Sequence, residues 1–361
     1  MKVLIAAGGT GGHIYPGIAV ANEIMRRDAQ SEIRFVGTAR GLETKLVPAA
    51  GFRLETIESA GIKNVGLAGT VKGLWLLPKS FLAARRLIKS FKPDVVVGAG
   101  GYVTGSVLLM ASLLKIPTLV MESNALPGFT NRQLARFVDK AAVTFSEAAK
   151  FFPGKAVVTG NPVRREFFDI PAKARENERF CLLAFGGSQG ARAINQALVA
   201  ALPDLEAEKN RLQIVHQTGE PDFETVKKGY GEAGWQNANV TKYISDMNAA
   251  FAHADLIICR AGATTCAELA AAGKAAIMIP LPTAADDHQR KNAEALQTAG
   301  AAKMILQKDL SGNKLASEIK ELISRPEKIT AMEQAAKTLG TGDAAAIMVD
   351  LIKELSLVGR P

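Results

Sequence analysis

The sequence predicts an α/β protein made of two Rossmann-like, doubly wound domains, and three observations carry that prediction. An apolar run, Val3-Leu4-Ile5-Ala6-Ala7, leads into the glycine turn Gly8-Gly9-Thr10-Gly11-Gly12-His13-Ile14-Tyr15-Pro16-Gly17 and then into a helix-periodic stretch from Ile18 to Met25. This is the order strand, loop, helix. The same grammar returns 178 residues later, where Phe180–Phe185 precedes Gly186-Gly187-Ser188-Gln189-Gly190-Ala191-Arg192. Between the two copies, a charged, proline-containing stretch from Pro171 to Arg179 marks a change of composition where a domain boundary is expected.

The size supports two cores. The chain has 361 residues, 48% hydrophobic and 22% charged, the composition of a soluble globular enzyme. No window is apolar for long enough to span a bilayer, and Lys2 leads straight into a short strand without a signal-like segment, so the expected location is cytoplasmic. Cys181, Cys259 and Cys266 lie in apolar runs without ligand spacing and are expected to be reduced core residues. The net charge of +9 calls for an acidic partner: nucleic acid, anionic lipid or a phosphorylated small molecule.

Four glycines in five residues of the opening loop, Gly8 to Gly12, are unfavourable for chain entropy and are explained by positive φ or by close approach to the backbone. At a helix start that geometry aims N–H groups at an oxygen-rich ligand, with His13 where they converge. The next strand, Glu32–Thr38, ends in Gly37-Thr38 rather than in an acidic residue, and the glycines do not follow G-x-G-x-x-G, which argues against a dinucleotide enzyme. From Lys63 to Lys92 there are seven basic residues and no acidic one, with Lys72 and Lys79 set among Leu74, Trp75, Leu76, Leu77 and Phe81, and Pro78 is expected to break the helical pattern. Apolar groups beside cations suit an anionic membrane surface, whereas a core-facing helix with a basic solvated side explains the same pattern. The scarcity of interleaved aromatic residues argues against nucleic acid.

Pro93–Tyr102 is again a buried strand followed by a glycine loop, and Val103–Leu114 is a helix. Ile116–Asn124 is a strand with a polar end, so His13, Tyr102, Glu122 and Asn124 gather at the carboxyl edge of the first sheet. Glu122 fits either a catalytic carboxylate or a cap for the next helix. Short strands at 141–145 and 156–160 lead to Asn161-Pro162-Val163-Arg164.

The second glycine loop has no histidine. It offers Ser188, Gln189, Arg192 and a helix N-terminus carrying Asn195, a better anion site than the first loop. Strands at 212–216 and 240–244 follow, then an Asp246-capped helix, then Leu256–Cys259 with Ala263, Thr264 and Thr265 opening a helix that carries Glu268. His216 and His253 are assigned no chemistry. Asp286, Asp287 and His288 point in different directions at a helix start, and the chain contains no Asp-x-Asp, so no metal site and no cofactor are expected. The last helix carries the stripe Ile347, Leu351 and Leu355 and is expected to pack across the domain junction. The resulting division is 1–160, 161–340 and 341–361.

In order along the chain, the Gly8–Gly17 loop, Gly100-Gly101-Tyr102-Val103-Thr104-Gly105, Asn161-Pro162-Val163-Arg164, Gly186–Arg192, Cys259-Arg260-Ala261-Gly262-Ala263 with Glu268, and Asp287-His288-Gln289 with Asn292-Ala293 closely resemble the MurG family. These are peripheral membrane N-acetylglucosaminyltransferases of bacterial peptidoglycan synthesis. The resemblance implies a glycosyltransferase B fold, with two Rossmann-like domains facing a cleft. It also implies inverting transfer from UDP-N-acetylglucosamine to the 4-hydroxyl of the N-acetylmuramyl-pentapeptide on lipid I, giving lipid II at the cytoplasmic face of the inner membrane.

By the same resemblance, Arg164 and Ile244 meet uracil, Ser188 and the helix after it the diphosphate, Glu268 the ribose, and Gln289 with Ala263–Thr265 the sugar and phosphate. Thr10, Gly11, Gly12, Tyr102 and Asn124 stand on the acceptor side, the stretch around Trp75 at the membrane, and other cell-wall synthesis enzymes are further implied partners. The family often has His-Glu-Gln-Asn where this chain has Met121-Glu122-Ser123-Asn124, so no proton transfer can rest on a histidine there, and His13 and Glu122 are the candidate bases. Two other classes stay open: a UDP-sugar epimerase of the same fold and a non-catalytic nucleotide-sugar-binding protein.

Overall fold

The structure, a computed structural model, describes residues 1–9, 11–59, 66–173, 179–187, 189–284, 287–340 and 344–358; for 66–76, Tyr102 and Val358 only the backbone course is described. The chain divides into two compact units, Met1–Arg164 with Asp343–Pro361, and Arg165–Gly342.

In the first unit the elements run β1 (Lys2–Ala7), α1 (Gly11–Arg27), β2 (Glu32–Gly37), α2 (Glu43–Ala49), β3 (Arg53–Thr56), α3 (Gly66–Phe91), β4 (Val95–Gly100), α4 (Tyr102–Leu113), β5 (Thr118–Glu122), α5 (Phe129–Leu134), β6 (Lys140–Val143), α6 (Ser146–Ala149) and β7 (Ala156–Val158). The strands form one parallel sheet in the order β3-β2-β1-β4-β5-β6-β7. Parallel strands covered on both faces read as continuous apolar runs, which is why β4 and β5 are buried throughout. Along β1 the faces alternate: Val3, Ile5 and Ala7 join the core under α1, and Leu4 and Ala6 the core under α3 and α4.

Pro78 does not break α3. It sits exposed within a helix that runs on to Phe91. A proline removes one N–H and strains the preceding turn, but packing of the turns after it carries the helix through it. Ala84, Ile88 and Phe91 are buried after it, and the buried Ser80 hydroxyl donates to Ser106 on α4 at 2.7 Å.

The second unit runs β8 (Phe180–Phe185), α7 (Arg192–Ala201), β9 (Leu212–Gln217), α8 (Phe223–Glu232), β10 (Asn239–Thr241), α9 (Met247–His253), β11 (Leu256–Cys259), α10 (Ala263–Ala272), β12 (Ala276–Met278), α11 (His288–Thr298), β13 (Ala302–Met304), α12 (Gly312–Ser324) and α13 (Pro326–Leu339). Its parallel sheet has the order β10-β9-β8-β11-β12-β13. β8 lies at the offset of 178 from β1, residue for residue. Asp246 caps α9 as expected, accepting the Ala249 N–H at 2.9 Å.

The last helix, α14 (Ala344–Val358), belongs to the first unit, where Met348, Val349, Ile352 and Leu355 share a buried cluster with Val20, Ala21 and Ile24 of α1. Arg27 on α1 pairs with Asp350 and donates to the Ala346 carbonyl at 3.1 Å. In each sheet the strand order reverses at one place, between β1 and β4 and between β8 and β11, and loops leaving the carboxyl ends there border a crevice.

Candidate active site

The first crevice is built on the peptide group joining Gly8 and Gly9. Gly8 N–H donates to the Gly100 carbonyl at 3.2 Å, which ties the turn after β1 to the end of β4. The Gly8 carbonyl lies 3.2 Å from His13 Nδ1; a carbonyl only accepts, so Nδ1 carries the proton and the lone pair of the neutral ring is on Nε2. Two glycines make this possible. Gly100 has φ +120°, and a Cβ there would stand 2.3 Å from His13 Cδ2; at Gly101, φ +88°, it would stand 2.2 Å from the Gly8 oxygen. The side chains of Thr10 and Tyr102 lie outside the described residues.

The other end of the same peptide holds a residue that the sequence did not single out. Glu43, fully buried at the first turn of α2, accepts from Gly9 N–H at 3.0 Å, Thr38 N–H at 2.8 Å and the Thr38 hydroxyl at 2.8 Å. Burial pushes its carboxyl up, but these bonds and its own N–H outweigh that and hold it below the usual carboxylate range. Its signal was present as an acidic residue among glycines just beyond β2, five residues after the place where a ribose-binding carboxylate was sought.

Glu122, at the end of β5, is 3% exposed and faces its own loop. One oxygen accepts from Asn124 N–H (2.9 Å) and Asn124 Nδ2 (3.1 Å), the other from Gly128 N–H (3.0 Å) and Asn131 Nδ2 (2.8 Å). Burial raises its proton affinity against the pull of these bonds. The carboxylate therefore braces the turn into α5, whose N-cap is Gly128. Next to it, the Ser123 hydroxyl donates to Asn161 Oδ1 at 3.0 Å. Arg164 is exposed, its guanidinium 5.8 Å from the Tyr15 ring centroid, where a cation meets an aromatic face.

In the second crevice, Gly187 has φ +90° and Gly190 +75°. A Cβ on Gly190 would stand 1.8 Å from the Thr218 oxygen, so this loop packs backbone on backbone against residues 218–219. Gln217, 1% exposed at the carboxyl end of β9, donates from Nε2 to the Gly187 carbonyl at 2.9 Å and accepts the Ile244 N–H at 2.8 Å. It thus joins the two segments expected to hold diphosphate and uracil. Gln189 is exposed, and Ser188 lies outside the described residues.

Asn195, expected at the substrate, is 1% exposed and lies behind the loop. Its Nδ2 donates to the Thr218 carbonyl (2.9 Å) and Asp222 (3.1 Å), which fixes its oxygen as the acceptor for His216 Nε2–H at 3.0 Å. His216 Nδ1 then accepts the Tyr230 hydroxyl at 3.1 Å, and burial lowers this imidazole to about 4. The reason for its position is helical geometry: Asn195 is on the face of α7 that also buries Ile194 and Leu198. On the exposed side, Arg192 Nε donates to Asp222 at 3.0 Å.

Ala263, Thr264 and Thr265 open α10, with Glu268 partly exposed on the same helix. The Thr264 hydroxyl is buried with no protein partner among the described residues. Gln289 Oε1 accepts the Leu281 N–H at 3.0 Å, and the fully buried Asn292 donates to the Ala261 carbonyl at 3.1 Å, so α11 is pinned to the ends of β11 and β12. Of the basic-apolar stretch, Leu77 and Phe81 are half-buried and Lys79 is exposed beside Leu82, 55% exposed; the side chains of Lys72, Leu74, Trp75 and Leu76 lie outside the described residues. Among the described residues no helix is long and apolar enough to cross a membrane.

Residues 3–143 match the glycosyltransferase family 28 N-terminal domain, and residues 181–349 the C-terminal domain of that family. A curated relative from Myxococcus xanthus, named UDP-N-acetylglucosamine–N-acetylmuramyl-(pentapeptide) pyrophosphoryl-undecaprenol N-acetylglucosamine transferase, is 49% identical over 98% of this chain and 93% of its own. A relative of the same name from Syntrophus aciditrophicus is 48% identical over 97% of both chains. The crystal structure of Acinetobacter baumannii MurG superposes with a TM-score of 0.78 at 34% identity, covering 98% of this chain and 99% of that one. A UDP-N-acetylglucosamine 2-epimerase from Neisseria meningitidis reaches a TM-score of 0.72 over 98% of this chain and 100% of its own, but at 15% identity that likeness shows the fold alone. The two parallel-sheet units are those of a glycosyltransferase B fold, and the chain belongs to the MurG family within glycosyltransferase family 28.

Proposed function

We propose that this chain moves N-acetylglucosamine from UDP-N-acetylglucosamine to the 4-hydroxyl of N-acetylmuramyl-pentapeptide on undecaprenyl diphosphate, converting lipid I to lipid II with inversion. The observation that carries the reading is near-full-length identity of 48–49% to relatives named for that transfer. His13 is the base. Its Nδ1–H is held on Gly8, and the opposite nitrogen takes the acceptor proton as the hydroxyl oxygen attacks the anomeric carbon and UDP departs with the bonding electron pair. Glu122 serves the same site by ordering the turn of Asn124, since four donors already engage its oxygens.

The second unit takes the nucleotide sugar. The N-terminus of α7 with Ser188, and Arg192 beside it, offset the charge that develops on the leaving diphosphate, and α10 brings Thr264, Thr265 and Glu268 to sugar and ribose. Gly11, Gly12, Tyr102 and Asn124 receive the acceptor. The exposed Lys79 and Leu82 on α3, continuous with the basic-apolar run before them, suit the anionic cytoplasmic face of the inner membrane.

Incubation with labelled UDP-N-acetylglucosamine, with and without a lipid I analogue, tests the reading. Label in the lipid only when the acceptor is present supports it. An isomerised UDP-sugar formed without acceptor, or no turnover at all, overturns it.

A further inference from the structure

We infer that Glu43 is a positioning residue for His13, acting through the single peptide group between them. The N–H end of the Gly8–Gly9 peptide donates to Glu43 Oε2 at 3.0 Å, and the C=O end of that same peptide accepts from His13 Nδ1–H at 3.2 Å. The arrangement is a carboxylate and an imidazole joined by a peptide instead of meeting directly. A carboxylate that orients a histidine and fixes its tautomer is a familiar catalytic device; here it is one peptide removed.

Burial makes the inference specific. A fully buried carboxylate is costly unless its charge is satisfied, and the partners of Glu43 are N–H and O–H dipoles rather than a cation. Its charge is therefore directed along those dipoles, and the Gly8–Gly9 peptide is one of them. Polarising that peptide strengthens its carbonyl as an acceptor, because hydrogen bonds in a chain reinforce one another. Three glycines leave the space: a Cβ at Gly8, Gly37 or Gly41 would stand 3.0, 2.6 or 1.9 Å from an atom of Glu43. During transfer the acceptor proton moves to His13 Nε2, Nδ1–H stays on Gly8, and Glu43 remains ionised throughout.

The role assigned to His13 rests on the proposed transfer; the coupling of Glu43 to its tautomer does not, and the test separates them. The full-length chain, labelled with ¹⁵N-histidine and assigned with His13→Asn, is read by NMR about two pH units above the ordinary histidine value of ~6.5, where the ring is neutral. The wild type shows His13 as the Nδ1–H tautomer. Glu43→Gln shifts it to a mixture, and turnover falls on the order of tenfold to a hundredfold with UDP-N-acetylglucosamine affinity within about twofold, as when an orienting partner is lost from a histidine. Glu43→Asp, which keeps the charge, recovers part of both. A folded Glu43→Gln variant with the tautomer and turnover of the wild type overturns the inference. Should that variant not fold by circular dichroism, Glu43→Asp decides: a partial shift of tautomer supports it and an unchanged ring overturns it. A wild type without transfer but with the tautomer shift would overturn the function and leave the coupling standing.

Discussion

Gly9 and Gly187, 178 residues apart, share a backbone conformation, φ +91° and +90°, yet are held by opposite ends of the peptide unit. Gly9 gives its N–H to a carboxylate, Glu43, whereas Gly187 takes an N–H on its carbonyl from an amide, Gln217. The loops diverge again three residues on, where Gly12 is already helical and Gly190 has φ +75°. Two copies of one motif are thus fastened differently: a charged brace behind the histidine loop, and a neutral one behind the loop proposed to meet a diphosphate.

His13→Ala is expected to lower turnover by roughly 10²–10⁴, the usual contribution of a general base. Affinity for UDP-N-acetylglucosamine, measured by calorimetry, should change little. Turnover within a few-fold of the wild type would return Glu122 to consideration.

Gly100→Ala places a methyl group into the His13 ring at a backbone angle that disfavours any side chain. The strain costs about 1–3 kcal/mol. Denaturant unfolding should show that loss, and turnover should fall with it as the ring is displaced. A variant of full stability and full activity would show that the ring does not rest against this glycine.

Gln217→Leu leaves the Gly187 carbonyl and the Ile244 N–H without their partner. Each hydrogen bond lost costs about 0.5–1.5 kcal/mol. Because both segments belong to the proposed nucleotide site, the dissociation constant for UDP-N-acetylglucosamine should rise about tenfold, equivalent to ~1.4 kcal/mol. An unchanged constant in a folded variant would argue that these segments do not hold the nucleotide.

Stability should fall as pH drops from ~6.5 towards about 4, in part through His216. Its folded value is depressed, so the unfolded chain binds the proton first; the contribution is complete above the unfolded value and is lost as pH falls through the folded one. For this fully buried ring the loss is at most roughly 3 kcal/mol. His216→Gln is expected to be less stable near neutrality and to show a flatter dependence across that window in urea unfolding followed at several pH values.

Much of the fold was legible because buried parallel strands and glycine turns are local patterns: β1, β4 and β8 and their loops stand where apolar runs meet glycines. The short strands β3 and β13 were not, since three or four partly polar residues at a sheet edge carry little periodic signal. The braces were hidden for another reason. Glu43 and Gln217 act on residues 34 and 30 positions away, and only strand order brings them there. Pro78 was misread because a proline reports a local preference that packing of the later turns overrides.

The helix α14 has a consequence for synthesis. Val349 and Ile352 are fully buried beside Val20, Ala21 and Ile24 of α1, so the first unit cannot close the cluster under α1 until the second unit has been made and α14 has followed it. The second unit is in effect an insertion within the first. On the ribosome it is therefore expected to mature earlier, and protease protection of the α1 face should appear only once α14 has left the exit tunnel.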